Sequence, residues 1–149
     1  MKLAEALQER ADLNRRIERL RARLAANAVV QEGEKTAEDP QELLAELDMC
    51  IDRLESLILQ INLANCRTVV DRQTLTELIA KKDCLTLRLQ AYRDFGNSAS
   101  QIARRASRTE IRLLSAVDVK ALQKTCDHMA GELRRLDNKI QETNWKTEL

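Results

Sequence analysis

Aromatic residues make up only 2% of the 149-residue chain, with one Trp, one Tyr and one Phe. Strands favour aromatic and β-branched side chains, so this composition disfavours a β-sandwich and leaves core packing to aliphatic groups. A single proline and three glycines provide few places for the chain to turn. No apolar run extends much beyond Leu57-Ile58-Leu59, whereas a membrane-spanning helix needs roughly 18 consecutive apolar residues. The opening Met1-Lys2-Leu3-Ala4-Glu5 soon enters an Arg-rich stretch and lacks the uninterrupted apolar segment of a signal peptide. The expected protein is therefore soluble and cytoplasmic. A formal net charge of +1 gives no bulk attraction to nucleic acid or anionic lipid, so such binding would require a local patch.

Metal and nucleophile chemistry also lacks its usual spacing. Cys50, Cys66, Cys84 and Cys126 contain no close pair, so reduced and mostly buried thiols are expected in place of a disulfide or a zinc cage. The sole histidine is His128, and Thr125 stands three positions before it. The Glu-x-x-His pairs of a di-iron bundle are thus missing, and no metal or other cofactor is expected. A Cys/His enzyme remains a remote alternative, because such side chains can meet through folding alone.

Apolar residues make up 44% of the chain and charged residues 33%. The charged share exceeds the usual quarter and suits long helices with salt-bridged faces. Aliphatic residues recur at steps of three and four, predicting an all-α, antiparallel four-helix bundle in one domain, with helices at about 2–27, 40–66, 74–95 and 118–143. The first helix presents Leu3, Ala6, Leu13, Ile17, Leu20 and Leu24, and its second half is rich in arginine. Asp39-Pro40 marks the next helix start, followed by Glu42, Glu46, Asp48, Asp52 and Glu55. In a hairpin these acids would lie beside the basic end of the first helix. The expected second seam is Leu44, Leu47, Ile51, Leu54, Ile58 and Ile61, flanked by Leu43, Cys50, Leu57 and Ala64. Such breadth predicts burial against more than one helix, and hence a homo-oligomer, most simply a dimer.

Thr74 and Glu77 have capping-box spacing, after which Leu75, Leu78, Leu85, Leu89 and Tyr92 form the third seam and Gly96-Asn97 the expected stop. Residues 98–117 are expected to be an irregular basic segment. The last seam takes Leu122, Cys126, Met129, Leu133, Leu136 and Ile140.

Three features outside the seams are candidate contacts. Arg104, Arg105, Arg108 and Arg112 form a local basic segment able to meet a phosphate, a nucleic acid or acidic groups of a partner. Stacking aromatics and a phosphate loop are missing nearby, so ion pairing with protein carboxylates is the favoured role and nucleic acid is disfavoured. Glu32, Glu34, Glu38 and Asp39 gather in the first interhelical loop and could meet a partner or this basic segment. Trp145 is a candidate anchor for the C-terminus, within the chain or across a subunit boundary.

Several strings add a family likeness: Met1-Lys2-Leu3-Ala4-Glu5-Ala6-Leu7, Gln31-Glu32-Gly33-Glu34, Glu38-Asp39-Pro40, Ser107-Arg108, Glu110-Ile111, Val117-Asp118-Val119 and the ending Asn144-Trp145-Lys146-Thr147-Glu148-Leu149. Across its whole length the chain resembles a family of small uncharacterised bacterial helical proteins, some labelled septicolysin. The resemblance implies a bacterial cytoplasmic helical protein and brings no established activity. Together these readings point to a non-catalytic helical scaffold or interaction protein, possessing no membrane segment, that self-associates and has room for a further protein partner. The alternative is an anion binder acting through Arg104, Arg105, Arg108 and Arg112.

Overall fold

A computed structural model describes residues 1–101 and 112–149, and their architecture is all-α, of the helical-bundle class. Helices α1 (Leu3–Ala26), α2 (Pro40–Arg67), α3 (Leu75–Ser100) and α4 (Val119–Lys146) account for most of the described chain. Between α2 and α3, strands β1 (Val69–Val70) and β2 (Gln73–Thr74) pair in a minimal hairpin. Its central residues, Asp71 and Arg72, have φ of 49° and 68°, the left-handed geometry of a type I′ turn. Strands of two residues are too short to show alternation, so the sequence gives no periodic sign of them. By contact, the chain divides into two compact units. One holds Met1–Val70 with Thr143–Leu149, and the other holds Asp71–Glu142.

In the first unit, α1 and α2 form an antiparallel hairpin. Three ion pairs fix its direction: Glu9 with Arg53 at 2.6 Å, Arg16 with Glu46 at 2.6 Å, and Arg23 with Glu38. Partner numbers rise along α1 as they fall along α2, and the arginines of α1 meet the acidic start of α2. Beneath this ladder, Leu20, Leu43 and Cys50 pack with the half-buried Leu13, Ile17, Leu24 and Leu47.

The row of α2 that is buried differs from the expected seam. Leu43, Cys50, Leu57 and Ala64 are buried together with Ile61, whereas Leu44, Ile51 and Ile58 are 41, 44 and 40% exposed. Adjacent residues on a helix point about 100° apart, so these two seven-residue rows cannot both face α1. Glu46 and Arg53 decide between them, because they flank the Leu43 row and reach Arg16 and Glu9 only when that row faces inward.

The chain ends close the same unit. Thr147 O accepts from Leu3 N at 2.9 Å, and Leu149 N donates to Met1 O at 3.0 Å. Glu148 meets Lys2 Nζ at 2.5 Å and the terminal ammonium at 3.2 Å.

In the second unit, Thr74 caps α3. Glu77 N donates to Thr74 Oγ1 at 3.2 Å while the Glu77 carboxylate accepts from Thr74 N at 2.6 Å. The helix continues past the expected stop at Gly96-Asn97 to Ser100. Gly96 serves close packing here, since a Cβ at that position would lie 3.2 Å from Leu122 Cδ2. Leu85, Leu89, Cys126 and Met129 form the core between α3 and α4, with Ala130 and Leu133 packed against it. Lys82 pairs with Asp137 at 2.5 Å, Lys81 with Glu132 at 3.7 Å, and Lys139 with Asp71 at 2.5 Å. Asp118 accepts from Ala121 N at 3.1 Å at the start of α4, which runs three residues beyond its expected end.

Two predictions follow from this packing. Leu57 is fully buried, so Leu57→Ala should lower unfolding free energy by about 2–5 kcal/mol in a urea titration, through lost transfer energy and a residual cavity. The second concerns acid. Hydrogen bonding from Arg53, Arg23 and Lys82 holds the carboxyl groups of Glu9, Glu38 and Asp137 below their ordinary range, and Lys2 does the same for Glu148. The Thr74 backbone amide lowers Glu77 likewise. A carboxylate with a depressed folded-state pKa stabilises above its unfolded value and loses that contribution as pH falls through the folded value. The melting temperature should therefore hold above the ordinary values of 4.5 for Glu and 3.8 for Asp and drop as pH falls below them. A melting temperature that rises on acidification contradicts this assignment.

Candidate interaction surface

The first interhelical loop is held by the buried Asn27, whose amide donates to Arg23 O at 2.8 Å and accepts from Glu38 N at 3.0 Å. Gly33, with φ of 82°, makes the turn in which Glu34 N donates to Gln31 O. Two of the four loop acids have local tasks. Glu38 pairs with Arg23, and Asp39 accepts from Gln41 N at 2.9 Å as the cap of α2. Glu32 and Glu34 are exposed and form no ion pair among the described residues. Of the basic segment, Arg104, Arg105 and Arg108 lie outside the described residues, and Arg112 is exposed.

Within the second unit, His128 and Cys126 face different sides of α4. His128 is exposed and Cys126, two positions earlier, is buried, Cys50 is buried in the other unit, and Cys66 and Cys84 are exposed. Two of the four thiols are thus at the surface, where mostly buried thiols were expected. Among the described residues no group of three or more His, Cys, Asp or Glu side chains is placed to hold a metal ion. No described helix is long and apolar enough to cross a membrane.

Apolar exposure marks the surface more strongly. Tyr92, Phe95 and Trp145, the only aromatic residues in the chain, are 38, 50 and 61% exposed. Tyr92 follows the spacing of the α3 core but lies at its margin, where it lines an open groove of about 470 Å³ with Ala91, Phe95 and Leu122. Trp145 stands on the last turn of α4, while backbone pairing and the Glu148 ion pairs tie down the C-terminus. On α2, Met49, Leu59 and Leu63 are exposed in addition to the Leu44, Ile51 and Ile58 row. The width of the α2 stripe was visible in its sequence; the exposure of the aromatic residues had no periodic signal.

Charge is distributed unevenly around these surfaces. Glu46 and Arg53, on the flank of α2 toward α1, are both paired. Asp48, Asp52 and Glu55, on the side bearing Ile51, are exposed and form no ion pair among the described residues. On α3, Arg88 lies one turn before Tyr92 and Arg93 directly after it, both exposed and outside the described ion pairs.

Comparison with known proteins gives a family and no activity. A crystal structure of a functionally unknown conserved protein from Corynebacterium diphtheriae is 37% identical, with a TM-score of 0.93, and the match covers 100% of this chain and 98% of that one. No functionally curated protein matches the chain. A model for a family of unknown function, DUF6847, matches residues 10–149. With nearly its full length matched, the chain belongs to the DUF6847 family.

Proposed function

We propose that the protein is a non-catalytic cytoplasmic helical scaffold that self-associates and presents its remaining surface to a further protein partner. One observation carries this reading: all three aromatic side chains are exposed while the cores are aliphatic. Aromatic groups offer the largest apolar area per residue and are enriched at the energetic centres of protein interfaces. Their exposed portions, 38 to 61% of each residue, forfeit a share of the about 1.5–3 kcal/mol that full burial of a large apolar side chain is worth. Association recovers it. The exposed aliphatic row on α2 adds a second surface of the same character. The resemblance noted in the sequence suggests a bacterial origin, and the cytolytic role carried by the label septicolysin forms no part of the proposal.

Light scattering coupled to gel filtration tests self-association. The expected mass is twice the 17.0 kDa of one chain, falling toward the single-chain value on dilution. A single-chain mass up to the highest soluble concentration would refute the proposal.

A further inference from the structure

Within the second unit, α3 and α4 enclose a further open groove of about 350 Å³, on the side of the pair that carries the Lys82–Asp137 contact. Leu89, Ala130 and Leu133 form its apolar floor, continuous with the core between the two helices. The charged side chains in its lining are Lys82, Arg93, Arg134 and Asp137. Lys82 and Asp137 neutralise one another at 2.5 Å. Arg93 on α3 and Arg134 on α4 are left, both exposed and forming no ion pair among the described residues. Asp94 follows Arg93 in the chain and keeps its charge, but it is not part of the groove lining and accepts from Gln90 Nε2 at 2.9 Å.

An apolar concavity of this size with a few charged groups at its rim has the make-up of a small-molecule site. A guanidinium group takes a carboxylate or a phosphate through two parallel N–H donors. A cation would be repelled by two uncompensated arginines, and a neutral ligand would leave both without a partner. We infer that this groove binds an organic anion with an apolar body, the body lying on Leu89, Ala130 and Leu133 and the anionic head held between Arg93 and Arg134. The site belongs to one unit of one chain and does not depend on self-association. The groove at Tyr92 and Phe95 has no charged residue in its lining, so it cannot make the same selection.

Calorimetric titration of the full chain with decanoate, decyl phosphate and decanol, each kept below the concentration at which it aggregates, tests the inference. The first two carry the two head groups that a guanidinium accepts, and the third has the same body without charge. At least one anion should bind about tenfold or more tightly than decanol, the worth of one charge-assisted hydrogen bond, and should shift the methyl signal of Ala130 in a nuclear magnetic resonance titration. Arg93→Gln and Arg134→Gln should each weaken that anion about tenfold and leave decanol unchanged, with circular dichroism checking that both variants stay helical. Failure of both anions to bind overturns the inference, as does decanol binding equally well or anion binding that the double variant does not weaken. The comparison of anions with decanol needs only the wild-type chain, so it decides the matter even where a variant misfolds.

Discussion

Helix α2 has more apolar surface than α1 can cover. Leu43, Cys50, Leu57 and Ala64 form one row; Leu44, Ile51 and Ile58 form another, about 100° away around the helix. Only one can face a single antiparallel neighbour. Exposed ion pairs of this kind contribute about 0–1 kcal/mol each, so Glu46 and Arg53 do not hold the hairpin together. They decide its rotation, because their partners on α1 are within reach when the Leu43 row is inside. Burial supplies the stability and charge selects the face. The uncovered row follows from that selection.

The same division of labour explains what was legible in the sequence. Helix number, order and type could be read because aliphatic spacing, the Asp39-Pro40 start and the Thr74/Glu77 box are local signals that the fold obeys. The choice of α2 face could not, since both rows satisfy helical periodicity and the decision depends on groups in another helix. Gly96 illustrates a second limit. A glycine followed by asparagine reads as a helix end, yet the contact with Leu122 gives it a packing role within a continuing helix. Asp71 and Arg72 illustrate a third, for a two-residue turn without glycine carries little of the usual hairpin signature.

Less of the candidate surface could be anticipated. Glu38 and Asp39 belong to the loop that joins α1 and α2, where one pairs with Arg23 and the other caps a helix. Tyr92 obeyed the α3 rhythm, but the rhythm does not record where the opposing layer ends. The exposed aromatic side chains are what the proposed self-association rests on, since the family comparison brings no activity.

The central claim of the proposal is that the exposed aromatic side chains are buried by another copy. Isotope-filtered nuclear Overhauser spectroscopy on a mixture of labelled and unlabelled chains addresses it most directly, because the sequence holds one tyrosine and one phenylalanine and their ring signals are unique. The account predicts cross-peaks between chains at the Tyr92 or Phe95 ring protons. A dimeric sample in which those ring protons show no contact with the other chain would contradict it.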